Sequence, residues 1–272
     1  MRYFFLALFQ GITEFIPVSS SGHLVLLQKM FGFQAPMIAF DVILHLATTL
    51  SVIIFLRKEL GLIIKEFSQV VGLLISGEKW LQIGKELPYA RVFVLLMAAL
   101  LPAIFIGVAL DKVIEKMFVS LTAVGISLFV TGTVLFFTKF VNTERQIKNI
   151  TLKDALFIGL AQAAAIIPGL SRSGMTIAAG MFRGIDKNAA ARFSFMLSVP
   201  TILAAAVYKL RNGLGELSIP LMQVIVSFII AFISGYAALV VLSRMIAKAK
   251  FHYFSYYCWL IGIASIVIAI FT

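Results

Sequence analysis

The feature that most constrains this chain is a polar, helix-breaking stretch set inside apolar sequence, and it is present twice. Residues 10–23 (QGITEFIPVSSSGH) interrupt an apolar N-terminus, and residues 162–176 (QAAAIIPGLSRSGMT) interrupt a second apolar stretch. At an offset of 152 residues Gln10 meets Gln162, and Ser19-Ser20-Ser21-Gly22 meets Ser171-Arg172-Ser173-Gly174. A carboxylate, an arginine and a histidine are costly at membrane depth and mark a functional site there. Breaks at corresponding positions of two halves point to where that site is built.

The surrounding sequence is that of a membrane protein. The chain is 61% hydrophobic and 13% charged, with 25 phenylalanines. Six apolar segments are long enough to span, at about 38–57, 88–110, 117–139, 189–209, 218–243 and 254–271. The interrupted segments, 1–31 and 151–183, read as helix–turn–helix hairpins that enter the bilayer and return. Irregular backbone survives at that depth only where protein or water covers it.

The formal charge of +11 is distributed as a membrane protein distributes it, in loops, which argues against nucleic acid as a partner. Arg57, Lys58, Lys65, Lys79, Lys85 and Arg91 share one loop, Lys139 to Lys153 another, and Arg244, Lys248 and Lys250 a third. The positive-inside rule places these loops in the cytoplasm and both termini outside. The first hairpin then enters from outside and the second from inside. The N-terminus lacks the basic region and cleavage site of a removable signal peptide. A single cysteine, Cys258, excludes an internal disulfide.

The repeat continues beyond the breaks, since residues 40–50 align with residues 193–203 at an offset of 153. Each half is a hairpin followed by three spans, and an odd number of spans inverts the second half. The expected fold is all-α and integral to the membrane: six transmembrane helices and two re-entrant hairpins in an inverted-topology repeat. It is one membrane domain, 1–272, with a first repeat over 1–110, a third span and connecting loop over 111–150, and an inverted second repeat over 151–272. Inverted repeats place a shared site near the midplane. Residues 61–77 read as an amphipathic helix at the cytoplasmic interface, and Trp80 as an interfacial anchor.

Gln10 and Glu14 stand four apart on one helical face. Glu14 is either a buried acid tying helices together or part of a reacting site. The serines at 19, 20 and 21 either cap backbone amides or supply a nucleophile activated by the nearby His23 and Glu14. His23 suits a general base or acid. Arg172 needs an anionic partner: a structural pair with Glu14, or phosphate oxygens shared with Ser171, Ser173, Thr176 and helix N-terminal amides. Asp41, His45 and Thr48 share a face of the first full span, with His45 either a satisfied histidine or an orienting group. His252 and the aromatics Tyr253, Phe254, Tyr256 and Tyr257 read as interface anchors.

At these residues the chain resembles the undecaprenyl pyrophosphate phosphatase family associated with bacitracin resistance. The family's first motif, (E/Q)xxxE followed by PxSS(S/T)GH, is present as Gln10, Glu14, Pro17, Ser19, Ser20, Ser21, Gly22 and His23. Its second, PGxSRSGxT, is present as Pro168, Gly169, Ser171, Arg172, Ser173, Gly174 and Thr176. The resemblance implies a bacterial plasma-membrane enzyme that hydrolyses undecaprenyl pyrophosphate to undecaprenyl phosphate and inorganic phosphate. That reaction would recycle the carrier lipid for peptidoglycan synthesis, with the site facing the outer side.

By motif position it implies Glu14, His23 and Arg172 as the essential trio and Ser20 as the nucleophile. Gln10, Ser19, Ser21, Ser171, Ser173 and Thr176 would bind phosphate, with Asp41 and His45 in support. It also implies a divalent cation, Mg²⁺ first and Ca²⁺ as the alternative, held by Glu14 and the substrate phosphates. The partners implied are the polyprenyl pyrophosphate lipid and membrane lipids, with a homodimer left open. Gln10 departs from the double-glutamate form of the motif, so Glu14 alone supplies the carboxylate. The rival expectation is a carrier that flips a phosphorylated polyprenol, which needs an anion site but no nucleophile.

Overall fold

The computed structural model describes residues 1–33, 37–75, 87–118, 120–212, 219–248 and 250–271. Trp80, Lys79 and Lys85 lie outside them. Among the described residues there are helices and no β-strand, and one isolated bridge joins Arg145 to Ile185.

Both polar stretches break helices as their sequence requires. Helix α1 (Arg2–Phe15) stops where Pro17 holds Ile16 in extended backbone, φ −60° and ψ 135°. Helix α2 (Ser20–Met30) begins behind Ser19, whose hydroxyl accepts from the Gly22 amide at 3.2 Å. Ser19 itself sits at φ 65°, the one described non-glycine residue in the left-handed region. In the second stretch α7 (Leu152–Ala164) ends before Pro168, Gly169 turns at φ 93°, and α8 (Arg172–Phe182) begins behind Ser171. The Ser171 hydroxyl accepts from the Gly174 amide at 3.1 Å.

Among the described residues six helices are long and apolar enough to cross a membrane: α3 (Ile38–Phe55), α5 (Pro88–Met117), α6 (Leu121–Phe137), α9 (Lys187–Asn212), α10 (Leu221–Ala247) and α11 (Phe254–Phe271). The shorter ones, at about 1.5 Å per residue, come close to the hydrocarbon thickness of about 30 Å. Large apolar side chains such as Phe105, Val207, Leu260 and Ile270 stay exposed on them, as lipid-facing positions do. The chain is a multi-pass membrane protein.

Contacts between these helices rest on small residues. Helices α6 and α11 cross at Gly125 and Gly262, where a Cβ on either glycine would lie 2.7 or 2.8 Å from the other's carbonyl oxygen. Helix α1 lies against α10 at Gly11, and α7 against α5 at Gly159, beside the Ala99 carbonyl. Close backbone approach of this kind is how helices associate where lipid supplies no hydrophobic drive. Phe15 packs edge-on to Phe195, both buried, next to the first break.

Two loop features went beyond the sequence reading. The amphipathic helix begins earlier than expected, as α4 (Arg57–Ile75), directly after α3. It packs on α5 with Ile63 and Val70 buried, and Phe67 meets Phe93 at 4.6 Å between ring centroids. Its Glu66 carboxylate accepts from the Tyr89 and Ala90 amides at 2.7 and 3.0 Å, satisfying the start of α5. Asp154, in the first turn of α7, is fully buried and accepts from Arg145 (2.6 Å), Arg183 (2.8 Å) and Thr151. Burial pushes its carboxyl up, but the bonds from Arg145, Thr151 and Arg183 outweigh that and hold it well below the usual carboxylate range. This clasp ties the loop ahead of α7 to the end of α8.

Candidate active site

Glu14 is the hub of the site. It stands in the last turn of α1, 6% exposed, and receives groups from four directions. Arg172 donates to its Oε1 at 2.5 Å, Ser20 Oγ to Oε2 at 2.7 Å, and Gln10 Nε2 to Oε2 at 2.8 Å. His45 Nε2 lies 3.5 Å from Oε2. The i, i+4 spacing of Gln10 and Glu14 put that pair on one face. The meeting of Glu14 with Arg172, 158 residues away, required the two breaks to come together.

The breaks meet tip to tip. A Cβ on Gly22 would stand 3.2 Å from Gly169 Cα, and one on Gly174 would stand 3.2 Å from Pro17 Cβ. Ser173 Oγ donates to the Ile16 carbonyl at 3.4 Å. In each tip the capping hydroxyl also meets its neighbour two residues on, Ser19 with Ser21 at 3.2 Å and Ser171 with Ser173 at 3.3 Å. The Ser171 amide donates to Thr131 Oγ1 of α6 at 3.1 Å, a contact with no sequence signal beyond a hydroxyl in an apolar span. Thr176 turns its hydroxyl to the Arg172 carbonyl and to Ser194 Oγ at 2.6 Å, so it braces the turn that carries Arg172.

His23 is held elsewhere. Its Nδ1 lies 2.8 Å from the Ser19 carbonyl and its Nε2 2.8 Å from the Tyr257 hydroxyl. Neither ring nitrogen bonds to Ser20, whose hydroxyl points to Glu14. Tyr257, read from sequence as an interface anchor, is therefore a partner of the site. Asp41 turns to Gln28, which donates to both carboxylate oxygens at 2.9 and 3.1 Å, while its backbone carbonyl receives His45 Nδ1 at 2.7 Å. The backbone at Asp41 thus orients His45, and Gln28, on its carboxylate, joins α2 to α3. Thr48 donates to the His45 carbonyl.

A divalent cation needs oxygen donors. Among the described residues no three of His, Cys, Asp and Glu cluster. One hard acceptor is nevertheless poised: Gln10 Oε1, fully buried and without a hydrogen-bond partner, on the side chain that touches Glu14. A carboxylate and an amide oxygen fit the sparse protein share of a Mg²⁺ site completed by substrate phosphates.

The arrangement is a hydroxyl donated to a carboxylate, beside a guanidinium with N–H groups to spare, at two helix N-termini. It suits transfer of a phosphoryl group. The chain compares closely with known proteins in the same sense. A family model described as "Bacitracin resistance protein BacA" matches residues 3–264. A protein of Carboxydothermus hydrogenoformans named undecaprenyl-diphosphatase is 38% identical over 268 residues, covering 97% of this chain and 95% of that one. Its namesake in Desulforapulum autotrophicum is 39% identical over 267 residues, covering 96% and 95%. Another, from Methanobrevibacter smithii, is 40% identical over 256 residues, covering 93% and 92%.

Proposed function

The chain belongs to the BacA family of bacitracin resistance proteins, and from that premise we propose that it hydrolyses undecaprenyl pyrophosphate where its two helix-pair tips meet. It is a membrane undecaprenyl-diphosphatase, releasing undecaprenyl phosphate and inorganic phosphate. The observation that carries the placement is the junction at Glu14, where Ser20 and Arg172 take opposite oxygens of one buried carboxylate.

Ser20 Oγ attacks the terminal phosphorus and passes its proton to Glu14 Oε2, with which it is already hydrogen-bonded. The bond from that phosphorus to the bridging oxygen breaks, and undecaprenyl phosphate leaves. Water then hydrolyses the phosphoserine and restores the serine proton. Arg172 spends one nitrogen on Glu14 and turns the remaining N–H groups to the phosphate as its charge shifts in the transition state. His23 takes the proton of the attacking water at Nε2 and hands it to the Ser20 oxygen as the phosphoserine bond breaks, while the proton on Glu14 leaves with undecaprenyl phosphate. Ser21 completes the phosphate contacts, while Ser173, which donates to the Ile16 carbonyl, braces the two tips, and Ser19 and Ser171 act by holding the amide-bearing starts of α2 and α8. Mg²⁺, or Ca²⁺ in its place, would be held by Glu14 and Gln10 with the substrate phosphates. When bound, it supplies positive charge that offsets the pyrophosphate.

The architecture behind the site is an inverted repeat of re-entrant pairs, forming one membrane domain from halves at 1–110 and 151–272 joined through 111–150. Its support is reciprocal contact. Gly22 meets Gly169 and Gly174 meets Pro17, and moving either pair by 152 residues produces the other. In the same way α1 with α10 mirrors α7 with α5, and Gly125 and Gly262 exchange places. The chemistry is one-sided, because Ile166 stands where the offset would put a second Glu14. By charge bias α1 and α2 enter from outside, both termini lie outside, and α7 and α8 enter from the cytoplasm.

The test is phosphate release from undecaprenyl pyrophosphate by detergent-purified protein, wild type beside Glu14→Ala and Arg172→Ala, with and without Mg²⁺. Release by the wild type and its loss in both folded variants is the expected result. Wild type that releases nothing under any cation would move the polyprenyl-phosphate carrier to first place.

A further inference from the structure

We propose that Tyr257 is a positioning residue of the phosphatase site, acting through His23; the inference rests on His23 working at the reacting phosphate. Tyr257 is on α11, 234 residues from His23, and its hydroxyl lies 2.8 Å from Nε2. The two rings are parallel to within 5°, with centroids 5.7 Å apart.

The tautomer follows from the partners. The Ser19 carbonyl can only accept, so the proton sits on Nδ1, 2.8 Å away. Nε2 is then a lone pair, and the Tyr257 hydroxyl donates to it. The opposite tautomer would face two acceptors across the Nδ1 bond, a buried repulsion on a ring that is only 5% exposed. The same Ser19 carbonyl also receives the His23 backbone amide, at 3.2 Å, so the ring is fixed to the start of its own helix on one side. Tyr257 fixes the other side. Nε2 is the one nitrogen able to take up a proton, and it does so when the reacting group displaces the Tyr257 hydroxyl from its lone pair.

A second contact shows that α11 grips this tip rather than brushing it. Cys258, the next residue, donates from Sγ to the Pro17 carbonyl at 3.4 Å. Consecutive residues of α11 thus hold both ends of the turn between Pro17 and His23. Tyr257 itself keeps 40% exposure, so its ring adds little to the core, while its hydroxyl is aimed at a buried imidazole. An anchor at the membrane interface would direct that hydroxyl to water or headgroups.

Tyr257→Phe keeps the ring and removes only the hydroxyl, and its melting temperature should match wild type. The experiment is a four-enzyme cycle of wild type, Tyr257→Phe, His23→Ala and the double variant, read by steady-state phosphate release. His23→Ala should lower kcat by about 100-fold or more. Tyr257→Phe should lower kcat by about 10-fold with KM near wild type. The double variant should be no slower than His23→Ala. In parallel, ¹⁵N-histidine NMR of the three histidines should show His23 as the pure Nδ1–H tautomer in wild type and a mixture in Tyr257→Phe.

The outcomes separate. If His23→Ala keeps near-full turnover, the role of His23 fails and the role of Tyr257 with it. If His23→Ala is impaired but Tyr257→Phe keeps wild-type kcat and an unchanged tautomer, the role of Tyr257 alone is overturned. Losses that multiply in the double variant would equally remove the action through His23.

Discussion

Ser20 and Arg172 occupy the first positions of α2 and α8, and each takes one oxygen of the same Glu14 carboxylate, at 2.7 and 2.5 Å. They are corresponding residues of the two polar stretches, 152 apart in sequence. One tip contributes a hydroxyl, the other a cation, and α1 contributes the base between them. A hydroxyl and a guanidinium are thereby held on either side of the carboxylate they share.

Ser20→Ala should cut kcat by about 1,000-fold or more with only a modest fall in melting temperature, since it removes a part-buried hydroxyl and its one bond to Glu14. Phosphate release decides it. Near-full turnover in the variant would transfer the attack to a water held by Glu14. Arg172→Lys should also fail, by about 100-fold, because an ammonium cannot serve the carboxylate and the phosphate together as a planar fork does.

Glu14 and Arg172 form a buried pair, their side chains 4% and 15% exposed. Removing one partner leaves the other uncompensated, at about 3–5 kcal/mol. Arg172→Ala should therefore melt well below wild type in detergent. Adding Glu14→Gln should recover much of that loss, although both proteins stay inactive. Equal melting of the single and double variants would contradict the pairing.

Chelation by EDTA should abolish phosphate release, and Mg²⁺ should restore it. Gln10→Ala removes the orphan Oε1 acceptor, so its half-saturating Mg²⁺ concentration should rise by about 10-fold, with a smaller change in kcat at saturation. An unaltered Mg²⁺ titration would separate Gln10 from the cation.

Gly262→Val should destabilise the protein strongly, since even a Cβ there would lie 2.8 Å from the Gly125 carbonyl oxygen. Two helices crossing backbone to backbone cannot absorb a branched side chain without separating. Thermal melting and loss of turnover should report it together. Gly61→Val makes the control, because a Cβ there meets no atom within 4 Å beyond its chain neighbours and its own helix backbone.

Asp154→Asn should lower the melting temperature by about 5 °C or more through loss of the Arg145 and Arg183 bonds. The wild-type carboxyl is held below its ordinary value of 3.8, so its contribution is fully present above that pH. It fades only as pH falls through 3.8 toward the depressed folded value. The gap between variant and wild type should accordingly stay constant from about pH 8 to 5 and narrow only in stronger acid. A gap that closed near neutrality would point to another group.

The sequence by itself determined where helices stop, which segments are long enough to span, and which residues are too costly to bury without purpose. Pro17, Pro168 and the capping serines carry those signals locally, in backbone geometry that acts over a few residues. Helical periodicity likewise placed Gln10 beside Glu14, and Asp41 in line with His45. Only the tertiary structure decided which group each of these finds. It brought Arg172 and Ser20, not His23, to Glu14; it set Tyr257 on His23, Gln28 on Asp41, and Glu66 on the first amides of α5. Those contacts join helices up to 234 residues apart. Their geometry comes from how closely glycine-bearing helices approach, a property of packed surfaces that no local run of residues encodes.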